Sequence, residues 1–212
     1  MKKVNYNILL AVTGGIAAYK IPYLCRLFLK SNNPVRVIMT KNATQFVKPL
    51  TFEALTRKKV YIEEFDENNN ESYMSHIDLV DWADIIIIAP ATANTIAKIA
   101  SGVGDNLLTS LMLVAYEKTV FICPAMNTRM YLNPITKENI NKLNNLGFNI
   151  IPPSKGELAC SDEGVGRLKE PDEIFDYVND YKQSSKEYKG IRFLVTAGPT
   201  REYIDPVRYI TN

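Results

Sequence analysis

Apolar residues along the chain form short unbroken runs that alternate with longer segments of helical spacing. The runs lie at 7–13, 34–40, 84–89, 119–123 and 148–151, and β-branched residues are frequent in them. The third run contains four consecutive isoleucines, and a strand that is apolar at every position is typical of a parallel sheet covered on both faces. The intervening segments predict helices, one of which begins at Asn133–Pro134 and ends before Gly147.

This alternation predicts the fold class. Strands that alternate with helices favour an α/β protein with a doubly wound, Rossmann-like parallel sheet in three layers, as in flavodoxin. Ligands of such sheets bind outside the carboxyl ends of the strands. Residues that follow directly after a strand are therefore the first candidates for function.

The pattern changes after Tyr181. Residues 182–189 are polar and lack apolar periodicity, so we predict a linker over 182–190. A new strand is predicted at 191–196, and a single strand with a loop cannot form a domain. We therefore expect residues 1–181 to form one domain and residues 191–212 to begin a second α/β domain whose remainder lies beyond Asn212. The alternative is that this last strand joins the first sheet.

Composition narrows the class of partner. The 212 residues include 25 basic and 23 acidic ones, and 46% of all residues are hydrophobic. Such a balance does not provide the excess of positive charge that binding to nucleic acid or an anionic membrane requires. No segment reaches the roughly 20 apolar residues of a membrane span. A small molecule is the expected partner, and no binding to nucleic acid or membranes is expected.

The cysteines and the first residues bear on localisation. Cys25, Cys123 and Cys160 are widely spaced, which disfavours a disulfide framework and favours a reducing cytoplasm. Lys2 and Lys3 before an apolar stretch resemble a short signal peptide. Gly14–Gly15 interrupts that stretch where a strand would turn into a helix, so we expect a cytoplasmic protein.

The first two strands end in residues that suit a phosphate. Thr13-Gly14-Gly15-Ile16-Ala17-Ala18 follows the first strand, and small residues let backbone N–H groups at a helix N-terminus approach a phosphate closely. The spacing differs from the GxGxxG of dinucleotide sites, so a mononucleotide is at least as plausible. Thr40 ends the second strand and could bond the same phosphate. Close packing of helix on strand would also select such glycines.

The third strand ends in a run of small and hydroxylated residues. The run Ala89-Pro90-Ala91-Thr92-Ala93-Asn94-Thr95 suits a flat ring that is bonded at its edge by backbone groups and hydroxyls. The alternative is a helix start with Thr92 or Asn94 as its cap.

The fourth strand ends in Pro124-Ala125-Met126-Asn127-Thr128-Arg129-Met130. The Asn127 amide can offer a donor and an acceptor to a substrate carboxylate. Met126 and Met130 would supply soft apolar walls, although methionines at this spacing also occur in cores.

Two further side chains are candidates for proton transfer. His76 is the single histidine of the chain, and histidine is the residue whose ordinary pKa suits proton transfer near neutrality. Cys160 lies in a glycine-rich segment, 156–167, that we interpret as a flexible flap, whereas Cys25 and Cys123 lie in apolar surroundings and are expected to be inert. A structural histidine and a loop thiol without a role are the alternatives. No metal-binding motif is present, so we predict no metal site.

Together these motifs resemble the flavin-containing cysteine decarboxylases. The resemblance is carried by TGGIAAYK (13–20), APATANT (89–95), PAMNTRM (124–130) and GELAC (156–160), and it runs from Ile8 to Asp180. Within the family, the chain is similar to the decarboxylase half of bifunctional phosphopantothenoylcysteine decarboxylase/phosphopantothenate–cysteine ligases. Residues 195–202 and 204–208 are similar to the start of the ligase half, which favours a truncated ligase domain over 191–212.

The resemblance implies an FMN cofactor and a set of site residues. It implies His76 as the active-site base, Asn127 as the group that holds the substrate carboxylate, and Cys160 as the proton donor. Met126 and Met130 complete the predicted substrate site. The predicted cofactor-binding residues are Thr13, Gly14, Gly15, Ile16, Ala17, Thr40, Ala89, Pro90, Ala91, Thr92 and Thr95. The resemblance also implies a homo-oligomer, either a trimer or a dodecamer built from trimers, in which one subunit's histidine serves a neighbour's flavin.

The implied activity is FMN-dependent decarboxylation of 4′-phospho-N-pantothenoylcysteine to 4′-phosphopantetheine in coenzyme A biosynthesis. The cysteine thiol would be oxidised to a thioaldehyde, CO2 would leave, and the resulting enethiolate would be reduced. Ligase activity is expected to be absent. The alternatives are a decarboxylase of peptides that end in cysteine, a flavin prenyltransferase, and a regulatory subunit that binds FMN without turnover.

Overall fold

A computed structural model of the chain describes residues 5–63, 76–157, 163–187, 198 and 201–211. Two compact units are present, Met1–Asn179 and Asp180–Asn212. In the first unit a parallel sheet of five strands has the order β2-β1-β3-β4-β5. Its strands are β1 (Ile8–Val12), β2 (Val35–Met39), β3 (Ile85–Ala91), β4 (Thr119–Pro124) and β5 (Asn149–Ile150).

This strand order is that of the flavodoxin-like doubly wound sheet. The predicted fold class is therefore confirmed. The strand order reverses direction between β1 and β3, and the crevice at this switch point is where ligands of such sheets bind.

Helices cover both faces of the sheet, and two antiparallel hairpins complete the described residues. The helices are α1 (Ile21–Lys30), α2 (Pro49–Thr56), α3 (His76–Trp82), α4 (Ala93–Ser101), α5 (Leu107–Val114), α6 (Thr128–Leu132), α7 (Pro134–Asn145) and α8 (Pro171–Glu187), with short 3-10 helices at Ile16–Lys20 and Ala43–Gln45. The hairpins are β6 (Ser154–Glu157) with β7 (Glu163–Arg167), and β8 (Arg201–Tyr203) with β9 (Tyr209–Thr211). The second hairpin belongs to the second unit.

The core lies in two layers, one on each face of the sheet. Alternate residues of a strand point to opposite faces, so Leu10 of β1 packs in one layer and Leu9 in the other. The first layer joins the sheet to α1, α2 and α8, and the second joins it to α3, α4, α5 and α7. Burial on both faces explains why these strands are apolar at successive positions.

Most strand boundaries differ from the predicted runs by one residue, and two elements extend further than predicted. The third strand continues to Ala91, two residues further than expected, and its seven residues are all buried. Helix α8 continues to Glu187, so the segment predicted as a linker is helical over most of its length. Lys, Gln and Glu are good helix formers, and a helix that is already started needs no apolar periodicity to continue.

Helix α7 begins and ends as the sequence predicts. The Asn133 side chain accepts a hydrogen bond from Ile135 N at 2.9 Å, which caps the helix at its start. Gly147 follows the last turn with φ +92°. Of the helices formed by described residues, none is long and apolar enough to cross a membrane.

Candidate active site

A cavity of about 1270 Å³ opens at the carboxyl ends of β1, β2, β3 and β4. The end of β7 and the two residues before α5 complete its wall. Its lining consists of residues 14–17, 19, 20, 40–42, 92–95, 98, 105, 106, 125–127, 130 and 166–168. Drug-sized ligands occupy pockets of roughly 300–1,000 Å³, so this cavity has room for more than one small molecule.

The cavity brings together most of the residues predicted for a site. Those that line it are Gly14, Gly15, Ile16, Ala17, Thr40, Thr92, Thr95, Met126, Asn127 and Met130. Thr13, Ala89, Pro90, Ala91 and His76 are not part of its lining. Cys160 lies outside the described residues.

Thr13 is buried beneath the cavity. It is 1% exposed, and its hydroxyl donates a hydrogen bond of 2.6 Å to the Pro90 carbonyl. The same oxygen accepts a bond of 3.2 Å from Thr92 N. The hydroxyl therefore ties the end of β1 to the end of β3, and it positions the backbone that carries Thr92.

Ala89, Pro90 and Ala91 are buried because β3 runs through them. Each belongs to the strand, and the strand is buried along its whole length. The part of the predicted ring-binding run that reaches the cavity therefore begins at Thr92. The sequence placed the end of the strand before Pro90, which is why these residues were predicted to be accessible.

Gly14 is required by packing against the loop after β2. A Cβ atom at this position would lie 2.4 Å from Asn42 Cβ, which is closer than real Cβ contacts. Gly15 has more room, since the nearest atom to its Cβ position is Thr92 Cγ2 at 3.7 Å. The packing interpretation of the glycine pair is thus confirmed for Gly14, and both glycines line the cavity.

Thr40 presents a hydroxyl that lacks a protein partner. Its Oγ1 is buried and has no hydrogen-bond partner among the described residues. A buried hydroxyl without a partner costs free energy. Because Thr40 lines the cavity beside Gly14 and Gly15, an oxygen-rich ligand there would satisfy this group.

Thr92 caps a helix, which is the alternative role that the sequence analysis gave for this residue. Its Oγ1 accepts a hydrogen bond of 3.3 Å from Thr95 N and so caps α4. The two threonine hydroxyl oxygens lie 3.1 Å apart. The capping prediction is confirmed for Thr92, and the pair forms a fixed polar edge of the cavity.

Asn127 is held in a defined orientation at the start of α6. Its Oδ1 accepts a hydrogen bond of 2.8 Å from Arg129 N. Because Oδ1 is the atom that bonds Arg129 N, Nδ2 is the opposite end of the amide, and this group is a hydrogen-bond donor. The half-buried side chain lines the cavity between Met126 and Met130.

The β6–β7 hairpin packs tightly against the loop that carries Asn127. Met126 N donates a hydrogen bond of 3.0 Å to the Gly166 carbonyl. A Cβ atom on Gly166 would lie 2.2 Å from Met126 O, and one on Gly164 would lie 2.2 Å from Thr128 Oγ1. Close packing is therefore the reason for these two glycines, which the sequence suggested as marks of flexibility. Cys160 belongs to the segment 158–162 that joins the two strands.

Cys25 and Cys123 lie in the core. Both are fully buried, and burial raises the pKa of the Cys25 thiol to about 12. Burial raises the pKa of Cys123 as well. Neither thiol ionises near neutral pH, so the prediction that both are inert is confirmed.

Charged residues of the cavity were missed by the sequence analysis. Lys98 pairs with Asp105 at the cavity wall, and this hydrogen bond lowers the pKa of the Asp105 carboxyl. Lys20 and Arg167 both line the cavity and both bond Glu170. Lys20 and Glu170 are 150 positions apart, and no local sequence pattern indicates a contact over such a separation. Tyr19, Asn106 and Leu168 also line the cavity and were not predicted for the site.

His76 begins α3 and is half-buried. The cavity of the same chain does not include it.

Comparison with known proteins places the chain in a family. Residues 1–182 match the family described as Flavoprotein. Residues 188–212 match the family described as DNA/pantothenate metabolism flavoprotein C-terminal domain.

Individual relatives agree with this assignment. The coenzyme A biosynthesis bifunctional protein CoaBC of Bacillus subtilis (strain 168) is 49% identical over 210 residues, which cover 98% of this chain and 51% of that protein. The chain thus spans about half the length of the curated relatives that it matches.

Two solved structures are similar over nearly their whole length. A mutant PPC decarboxylase complexed with pantothenoylaminoethenethiol superposes with a TM-score of 0.75 at 36% identity, covering 85% of this chain and all of that one. The FMN binding protein AtHal3 gives a TM-score of 0.73 at 38% identity, covering 85% of this chain and 98% of that one. The chain therefore belongs to the flavoprotein family and is homologous to PPC decarboxylase and to the decarboxylase half of CoaBC.

Proposed function

We propose that the chain decarboxylates 4′-phospho-N-pantothenoylcysteine to 4′-phosphopantetheine, with FMN as its cofactor. The observation that carries the proposal is the docking of the β6–β7 hairpin, which bears Cys160, on the loop that presents Asn127 at the cavity. The docked residues are Gly164 and Gly166 of β7, and Cys160 precedes them in the sequence, between the two strands of the hairpin. The homology to PPC decarboxylase supports the choice of substrate.

The residues at the switch point fit FMN. Thr40 offers a buried hydroxyl without a partner among the described residues, and Gly15 leaves space for a close approach. Thr92 and Thr95 would border the ring at the next strand end. When bound, FMN supplies a two-electron acceptor and donor, which the decarboxylation of a cysteine derivative requires.

Asn127 would hold the carboxylate that leaves as CO2. Its orientation is fixed by the bond from Arg129 N, so the amide donor is positioned before the substrate arrives. Fixing the carboxylate aligns the bond that breaks and removes the entropy cost of orienting it. Met126 and Met130 would enclose the apolar part of the substrate.

His76 would move the proton of the substrate thiol in a neighbouring subunit's cavity. It does not line the cavity of its own chain, and the resemblance to the cysteine decarboxylases implies a trimer or a dodecamer built from trimers. Cys160 would deliver a proton to the carbon of the enethiolate, and the hairpin would exclude water.

The two family matches also support a division of the chain. We propose residues 1–181 as the decarboxylase domain, 182–190 as a connection that is largely helical, and 191–212 as the beginning of a phosphopantothenate–cysteine ligase domain. The compact units support a boundary near this position, between Asn179 and Asp180. Ligase activity is not expected from residues 191–212 alone.

Release of labelled CO2 tests the proposed function. The purified protein, with FMN bound, is incubated with substrate whose cysteine carboxylate carries ¹³C, and the gas is analysed. We expect ¹³CO2 from 4′-phospho-N-pantothenoylcysteine and much less from a peptide that ends in cysteine. Turnover of the peptide alone would favour the peptidyl-cysteine decarboxylase, and bound flavin without any turnover would favour the regulatory subunit.

A further inference from the structure

Lys20, Glu170 and Arg167 form an ionic cluster at the cavity wall. The Glu170 Oε1 atom accepts a hydrogen bond of 2.7 Å from Lys20 Nζ and one of 2.5 Å from Arg167 Nη2. The Lys20 side chain is 12% exposed and that of Arg167 is 44% exposed. Arg167 is thus the member of the cluster that is open to an incoming ligand.

The cluster carries a surplus of positive charge. The hydrogen bond from Lys20 lowers the pKa of the Glu170 carboxyl, so this group is ionised at neutral pH. Two cations therefore share one carboxylate, and a net positive charge remains at the wall. Arg167 and Lys20 both line the cavity, whereas Glu170 does not.

The other cations at the cavity are less suited to a second anion. Lys98 is matched one to one with Asp105, which also lines the cavity. Lys41 is exposed and follows Thr40 at the end proposed for the flavin phosphate. Among the cations of the cavity, those of the ionic cluster are therefore best suited to form an ion pair with a further anionic group.

We propose that Arg167 is a specificity-determining residue that binds the phosphate monoester of the substrate, and that Glu170 is the residue that positions it. The inference rests on the proposed function. A guanidinium group presents donors in a fixed fork that matches two phosphate oxygens. A cavity of about 1270 Å³ has room for this substrate beside a mononucleotide.

The same chemistry is present in the phosphate of FMN and in the carboxylate of the substrate. Thr40 and the Gly14–Gly15 turn lie on the loops after β2 and β1, and Arg167 lies on the β6–β7 hairpin. Asn127 has been assigned to the carboxylate. The experiment must therefore separate the three anionic groups.

The test compares two substrates that differ only in the phosphate. Steady-state kinetics are measured with 4′-phospho-N-pantothenoylcysteine and with N-pantothenoylcysteine, using the wild type, Arg167→Gln and Arg167→Lys. Loss of a charge-assisted hydrogen bond lowers affinity by roughly 10- to 100-fold. We expect Arg167→Gln to lose about that factor in kcat/KM, mainly through KM, with the phosphorylated substrate alone.

The companion variants sharpen the result. Arg167→Lys should recover part of the preference, because it restores the charge without the fork. Glu170→Gln should raise KM for the phosphorylated substrate less than Arg167→Gln does. Arg26→Gln removes an exposed arginine of α1 that does not line the cavity, and it should leave both substrates unaffected.

Each other outcome has a defined meaning. Equal losses of kcat/KM with both substrates would overturn the inference and indicate the carboxylate as the partner of Arg167. Weakened retention of FMN by Arg167→Gln, with an unchanged substrate preference, would overturn it in favour of the flavin phosphate. Absence of turnover by the wild type with either substrate would instead contradict the proposed function.

Discussion

At the residue scale, sequence reasoning located side chains that follow strands and failed where a strand continued. Thr40, Thr92 and Asn127 line the cavity as their positions at strand ends predicted. Ala89 does not, because β3 extends through it to Ala91. Charged contacts between distant positions, such as Lys20 with Glu170, have no local signal in a single sequence.

The buried hydroxyl of Thr40 leads to a prediction about the affinity for FMN. Its buried hydroxyl has no partner among the described residues, so we expect a ligand oxygen to satisfy it. Thr40→Val should weaken FMN binding by about tenfold, the effect of one lost hydrogen bond of about 1.5 kcal/mol. Titration of the flavin-free protein with FMN, followed by flavin fluorescence, measures the affinity.

Two control variants separate the hydroxyl from its surroundings. Thr40→Ser keeps the hydroxyl and should bind FMN nearly as well as the wild type. Thr51→Val changes an exposed threonine of α2 outside the cavity and should have no effect. Unchanged FMN affinity of Thr40→Val would remove Thr40 from the phosphate site.

At the scale of elements, the glycines of segment 156–167 were interpreted as a flexible flap, whereas the described residues of that segment belong to the β6–β7 hairpin. Gly164 permits contact with Thr128 at the start of α6, and Gly166 permits contact with Met126 in the loop after β4. A sequence shows that a residue is small, but it does not show which distant backbone approaches it. The same limit applies to α8, whose last turns carry no apolar periodicity and were predicted as a linker.

A substitution at Gly166 tests whether docking of the β6–β7 hairpin is needed for activity. A Cβ atom there would meet Met126 O at 2.2 Å, and the backbone φ is +140°. Gly166→Ala should therefore displace the hairpin from the loop of Asn127 and lower kcat/KM by about 5- to 150-fold, since overpacking costs about 1–3 kcal/mol. Steady-state kinetics and thermal unfolding of the same preparation measure both effects.

Gly147→Ala is the matched control. Gly147 also has positive φ, at +92°, but no atom lies within 4 Å of its Cβ position. This variant should lower the stability by about 1 kcal/mol through backbone strain and leave kcat/KM unchanged. Equal activity of the two variants would show that docking of the hairpin is not needed for turnover.

At the scale of the whole molecule, the doubly wound parallel sheet could be predicted, whereas the assembly could not be tested in one chain. Parallel strands that are buried on both faces indicate the fold class. Their apolar residues are continuous, whereas a strand with one solvent-exposed face alternates apolar and polar residues. His76 does not line the cavity formed by the described residues of its own chain, so the proposed role of this histidine at a neighbour's cavity stays a prediction.

Mixed assemblies test the sharing of the site. His76→Asn and Asn127→Ala should each be nearly inactive. If one subunit's histidine serves the next subunit's cavity, an assembly of both variants contains some intact cavities, and partial activity should return on coexpression. Activity that stays at the level of the separate variants would place His76 and Asn127 of the same chain in one site, or His76 outside any site.

The measurement that tests the central claim most directly is mass spectrometry of the product formed from 4′-phospho-N-pantothenoylcysteine. The wild type with bound FMN is predicted to yield 4′-phosphopantetheine. Cys160→Ser is predicted to release the ene-thiol, which lacks two hydrogens, because the proton donor is missing. Unchanged substrate after incubation with the wild type would contradict the decarboxylase proposal, and 4′-phosphopantetheine as the only product of Cys160→Ser would remove Cys160 from its proposed role.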